Sequence, residues 1–238
     1  MGSRHTTSFR RRRTAAGVGA LVAIGGIGAW AIPRVYQRIS HARLDPRGLD
    51  VHEGSGGPGL SPDQADGTWV VAAGSFAGYR VQKVLNGVDV TVVGRTDEVS
   101  GTVEIADGDL VTGTVTVDLA SVDSGDAKRD EYFRDKALTV SEYPEATFML
   151  SDPVRAVAGL TAAGTPAFDI VGDVSIRGVT RQITTEVSVA VDGETVRVAG
   201  SIPAHFPDFG VTIPTLPFVK VDEDGSIEFS LVLRRKLA

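Results

Sequence analysis

An antiparallel all-β barrel with one short helical excursion, preceded by an N-terminal transmembrane or signal helix, is the architecture this sequence predicts. Three observations predict it. From Gly67 onward, apolar and polar residues alternate with a period of two. The alternating runs are separated by Asn86-Gly87, Asp107-Gly108 and Asp192-Gly193, dipeptides that supply the positive φ of tight hairpins. The 238 residues include 28 glycines and only 6% aromatics, a composition of many turns rather than of a helical bundle.

The turn dipeptides set Tyr79–Leu85 against Val88–Val93, Val99–Ala106 against Asp109–Leu119, and Ile183–Val191 against Glu194–Ile202, while Asp224-Gly225 introduces the last strand. Along Asp109–Leu119, Val111, Gly113, Val115, Val117 and Leu119 share one face, and Thr112, Thr114, Thr116 and Asp118 the other. Single apolar faces recur in Val99, Gly101, Val103, Ile105; in Ile170, Gly172, Val174, Ile176; in Ile183, Val187, Val189, Val191; and in Ile227, Phe229, Leu231, Leu233. A meander of this kind closes into a barrel or stacks as a sandwich, and short hairpins favour the barrel. The apolar faces are mostly Val, Ile and Gly, which fits a barrel with an unfilled centre and fits equally a packed sandwich core. Ser124–Leu138 breaks the period with helical composition and a Ser or Asp cap, suited to lie over a barrel mouth. Tyr143-Pro144 is expected to end that excursion, and Arg177-Gly178 to form a hairpin corner capped by Asp173.

The N-terminal part divides differently. Residues 1–13 form a basic tail expected in the cytoplasm, 14–33 a transmembrane anchor or signal segment, 34–66 a flexible linker, and 67–238 the barrel domain. Arg10, Arg11, Arg12 and Arg13 precede Ala15–Ile32, eighteen residues without a charge. As a helix these span about 27 Å, near the minimum for a ~30 Å hydrocarbon layer. The expected placement is a single-pass cell-membrane protein with the barrel extracytoplasmic, or a secreted one if Ala29-Trp30-Ala31 is a cleavage site.

Charge and composition exclude several function classes. Residues 1–47 hold nine arginines against Asp45 alone, which leaves 15 basic and 29 acidic residues for the rest, a body that repels nucleic-acid phosphates. Without cysteine there is no thiolate metal site, iron–sulfur cluster or cysteine nucleophile. His205 is the only histidine beyond residue 52, and no GxSxG elbow accompanies it, so His205 with Asp208 makes a poor hydrolase dyad. Asp222, Glu223 and Asp224 read as a solvated turn rather than a calcium site. No enzyme activity, cofactor or metal is expected.

Ser121-Val122-Asp123-Ser124-Gly125, Lys128-Arg129-Asp130, Tyr143-Pro144-Glu145-Ala146-Thr147-Phe148, Val171 through Arg181, and Asp208-Phe209-Gly210 follow one another in an order that is specific as a set. Through them the chain from Tyr79 to Arg235 resembles the YceI-like family, lipocalin-like proteins associated with binding of polyisoprenoid and other long lipids. The resemblance departs at Glu131-Tyr132, where the family commonly has His-Leu, and at Val93-Gly94-Arg95-Thr96, where many members carry an aromatic-rich strand. It implies an extended antiparallel barrel with an internal apolar cavity, exported across the inner membrane, and it implies no catalytic residues.

The function expected is therefore non-catalytic binding or transport of a long isoprenoid-type lipid in the barrel interior; the alternative is a structural or protein-interaction barrel of the cell envelope without a ligand. Positions expected to line the lipid, chosen from apolar faces and mouths, are Tyr79, Val81, Val103, Val115, Val117, Phe133, Phe148, Val174, Ile176, Phe209 and Phe229, with Arg129 and Tyr132 at the polar head. For Arg129 the reading favoured over a head-group clamp is a helix-terminus ion pair with the adjacent Asp130 that fixes the loop.

Overall fold

A two-residue connection between twisted antiparallel strands needs positive φ at both positions, and three turns of this chain provide it: Asn86 and Gly87 at 51° and 81°, Asp107 and Gly108 at 54° and 78°, Arg177 and Gly178 at 51° and 72°. Around them the computed structural model, which describes residues 60, 62–155, 166–216 and 219–236, builds eleven strands. These are β1 (Gly67–Val71), β2 (Phe76–Leu85), β3 (Val88–Thr96), β4 (Val99–Ala106), β5 (Asp109–Asp118), β6 (Glu145–Leu150), β7 (Ala167–Ile176), β8 (Val179–Asp192), β9 (Thr195–His205), β10 (Thr215–Leu216) and β11 (Val219–Arg235). The basic tail and the apolar segment lie outside the described residues, as does the linker up to residue 59. Pro62–Ala65, at the end of that linker, forms a single helical turn, α1. Among the described residues no helix is long and apolar enough to cross a membrane.

The strands pair in the order β1-β4-β5-β6-β7-β8-β9-β11, and β11 returns to β1, so eight antiparallel strands close a ring. β2 continues the line of β1 along the same edge of β11: Trp69–Val71 face 233–235 and Phe76–Leu85 face 219–230. β3 runs on into β4 across Asp97-Glu98, so the β2–β3 hairpin prolongs two staves of the barrel past the point where β5 leaves the sheet. The chain between β5 and β6 fills the space beside β3. There Asp126 caps α2 (Ala127–Tyr132), accepting from the backbone N–H of Lys128 (3.1 Å) and Arg129 (3.2 Å), and Phe133–Ala137 follow as a π-helical turn.

Two apolar clusters pack toward the two ends. At the helical end Leu119, Leu138, Val140, Ile176, Ile202 and Phe209 pack together. At the other end Trp69, 2% exposed, packs with Val187, Val191, Leu231 and Leu233, and its indole N–H donates to Ala65 O at 2.8 Å, which ties α1 across that end.

Several local expectations are corrected. Glu104 pairs with Thr112 but Ile105 with Leu110, so Val111 is an extra residue in a bulge, and Leu110 takes the inward position expected for Val111. Asp192 and Thr195 still pair, so that turn is Gly193-Glu194 rather than Asp192-Gly193. Asp224-Gly225 does not begin the last strand; β11 starts at Val219, and 222–224 form a bulge opposite the single residue Gln82. The helical excursion ends at Leu138 and Thr139, where Thr139 adopts φ 55°, well before Tyr143-Pro144. Asp173 does not cap the Arg177-Gly178 corner. It lies mid-strand opposite Gln182 and accepts from the Ser151 hydroxyl at 3.0 Å.

Candidate functional site: an apolar cavity along the barrel

The inward faces of the ring enclose a cavity of about 200 Å³ that runs from Ala146, Ile176 and Ile202 at the helical end to Ile105, Leu110 and Phe168 near the other. Among the described residues 25 line it, and they are Ala, Val, Ile, Leu, Gly and Phe with the single exception of Thr147. Every strand of the ring except β1 contributes, because alternation turns one side chain in two toward the axis. The volume exceeds the ~150 Å³ of an apolar cavity that stays dry and admits small hydrocarbons. With no charge and one hydroxyl among the described residues of its wall, the cavity offers dispersion contacts to an apolar chain and gives water almost no partners.

Of the positions expected to line it, Val103, Val115, Val117, Phe148, Val174, Ile176 and Phe229 border the cavity. Tyr79, Val81, Phe133, Phe209, Arg129 and Tyr132 do not. Val81 and Phe209 are buried at the helical end. The Tyr79 and Phe133 rings stack there on one another, centroids 5.1 Å apart and planes 14° from parallel. Burial raises the Tyr79 phenol above its ordinary value; the Arg129 cation and the Ser124 hydroxyl oppose this, and the Asp130 carboxylate adds to it. Arg129 and Asp130 do not pair directly as expected, but meet at Ser124. Arg129 donates to Ser124 Oγ (2.7 Å) and Ser124 O (2.9 Å), while Asp130 Oδ1 accepts from Ser124 N–H (3.1 Å) and from its hydroxyl. Tyr132 Oη donates to Thr212 O at 3.5 Å.

Sequence reading missed Leu110, whose inward turn depends on the bulge, and Val154, which pairs with Leu110 outside any strand. It also started β7 three residues late and so passed over Phe168. The volume expected from glycines on the apolar faces is partly taken by rings. A Cβ on Gly200 would stand 2.7 Å from Phe229 Cζ, so that phenyl occupies the place of the missing side chain.

Elsewhere, several polar groups find structural partners, although Arg95 Nε and Arg177 Nε are buried without one. Glu228 alternates with the inward Ile227 and Phe229 and so faces away from the axis, yet it is 1% exposed. Arg80 covers it with two contacts (Nε to Oε1 2.5 Å, a terminal nitrogen to Oε2 3.2 Å), and Arg95 adds a third at 3.5 Å while its guanidinium lies 4.7 Å over the Phe76 ring. His205 bonds Asp224 (2.9 Å) rather than Asp208. That bond raises the imidazole above its ordinary value, partly opposed by burial and reinforced by the negative charges of Asp224, Asp208 and Glu223. No three His, Asp or Glu side chains among the described residues converge as a metal site.

A closed eight-stranded antiparallel β-barrel around an apolar cavity is the class of protein that the fold defines. The YceI-like domain family matches residues 69–233, and the chain belongs to that family. A UPF0312 protein of Shewanella denitrificans is 29% identical over 143 residues, covering 55% of this chain and 71% of the relative. Among solved structures, a polyisoprenoid-binding domain from Saccharophagus degradans implicated in plant cell wall breakdown superposes with a TM-score of 0.56 at 20% identity, covering 71% of this chain and 98% of that one. BcnA of Burkholderia cenocepacia gives a TM-score of 0.50 at 26% identity, covering 65% and 95%.

Proposed function

We propose that this chain binds or carries a long apolar lipid of isoprenoid type inside its barrel, on the outer side of a cell membrane and without covalent chemistry. The observation that carries the reading is the cavity wall, in which Thr147 is the only polar residue among the described ones. The polyisoprenoid-binding character of the Saccharophagus domain supports the same ligand class. Burying on the order of 300 Å² of lipid at ~25 cal/mol/Å² supplies roughly 7 kcal/mol before entropic losses, so affinity requires no charged anchor. The reading assigns the polar head to the helical end, near Arg129 and Tyr132, which bond Ser124 and Thr212 there.

The arginine run followed by Ala15–Ile32 supports a membrane anchor with the barrel outside the cytoplasm, or secretion if that segment is cleaved. An extracytoplasmic carrier tethered beside a bilayer has its ligand at hand. The test is native mass spectrometry and lipid extraction of the protein purified from its own membrane. A bound mass matching an isoprenoid-type lipid is the expected result, and a protein free of lipid by both measures contradicts the reading.

A further inference from the structure

We propose that the lipid carries an anionic head of the phosphate type and that Arg177, at the helical end of the barrel, binds it; this rests on the lipid reading above and names the class of ligand within it. The backbone supplies the first observation. The turn between β7 and β8 has positive φ at both positions, Arg177 at 51° and Gly178 at 72°. The two other turns of this geometry open with Asn86 and Asp107, residue types that tolerate the left-handed region. An arginine there gains nothing for the turn itself. A side chain kept at a sparsely populated backbone position points to a role beyond the local structure.

The second observation is that the guanidinium of this half-buried residue lacks a counter-charge. Its Nε is buried with no hydrogen bond. Nη2 donates to the neutral Thr139 Oγ1 at a long 3.3 Å, and Nη1 lies 3.5 Å from where a Cβ on Gly210 would stand. Among the described residues no carboxylate forms an ion pair with it, Glu142 and Asp208 on the segments of Thr139 and Gly210 included. Residues 48–238 carry 29 acids against 15 bases, so carboxylates are not scarce. Arg95, whose Nε is also buried, does have Glu228, and Arg129 is engaged twice by Ser124. An anion completes such a group, and the planar fork of a guanidinium matches two oxygens of a phosphate.

The third observation is position. Arg177, Thr139 and Gly210 each follow directly on a residue of the apolar cluster at the helical end, namely Ile176, Leu138 and Phe209. Ile176 also lines the cavity, so an apolar chain lying there has this cation one residue beyond its end. Among isoprenoid lipids the anionic heads are phosphate esters.

Farnesyl phosphate and farnesol share one chain and differ only in the head, so their equilibrium binding to the full-length protein isolates the anion. The wild type holds farnesyl phosphate the tighter by about tenfold. Arg177→Asn suits the turn as Asn86 does and keeps or gains thermal stability, while the ratio of the two affinities falls to near one. Equal binding of the two ligands by the wild type leaves the lipid reading standing and overturns the anionic head, as does a preference that survives in Arg177→Asn. A marked loss of stability in Arg177→Asn assigns the guanidinium to the fold and overturns the proposal as well. Inorganic phosphate bound as tightly as farnesyl phosphate makes this a free-anion site and overturns the head-group assignment. If neither ligand binds, the lipid reading itself fails and the anionic head falls with it.

Discussion

The ring of Phe148 on β6 fills the place of the side chain that Gly172 on β7 lacks: a Cβ there would overlap Phe148 Cε2 and Cζ and stand 2.7 Å from Met149 O. Gly113 differs, because its Cβ would meet only Val103 and Leu150 at 3.4 and 3.6 Å. Gly172→Ala therefore displaces the ring into the cavity and costs roughly 1–3 kcal/mol. Gly113→Ala holds stability or raises it by up to about 1 kcal/mol. Urea unfolding of the two variants checks this, and equal loss in both would refute the packing argument.

Glu228 neutralises two arginines from a position that water does not reach. Glu228→Ala leaves Arg80 and Arg95 facing each other without a counter-charge, and the expected destabilisation is about 3–5 kcal/mol. Glu228→Gln keeps the shape and is expected to lose less. Thermal or denaturant unfolding measures both, and a Glu228→Ala chain as stable as wild type would show that the pair carries no net weight.

His205 makes stability pH-dependent with a definite sign. Its pKa is raised in the folded state, first by the bond to Asp224, so the folded chain holds this proton more tightly than the unfolded one. The contribution is fully present below the ordinary imidazole value of about 6.5 and is lost as pH rises through the higher folded value. It is modest, because both side chains are largely open to water. His205→Gln flattens the stability profile in the window between the ordinary imidazole value and the higher folded one. An NMR titration giving His205 a pKa at or below the ordinary value would contradict the assignment.

The parts of this fold that could be read in advance are those whose causes are local. Asn86-Gly87 and Asp107-Gly108 specify their hairpins through backbone conformation alone, and the alternation of Val103, Val115 and Val174 orients them toward the cavity once a strand exists. What escaped reading depends on neighbours. Leu110 turns inward because β5 has one residue more than β4 needs, a property of the pair rather than of either strand. Tyr79 has the inward parity of a lining residue, yet it is removed from the cavity because the chain between β5 and β6 brings Phe133 against it. Val154 joins the wall through one isolated bridge to Leu110, for which no periodicity exists.

The central claim is that the barrel interior, and not its surface, receives the lipid. The most direct measurement is uptake of an added polyprenol by the wild-type protein and by Val115→Trp and Val174→Trp, each of which places an indole in the cavity wall, with circular dichroism confirming that all three are folded. The account predicts saturable uptake by the wild type and its loss in both variants. Absence of uptake by the wild type, or undiminished uptake by both folded variants, would contradict it.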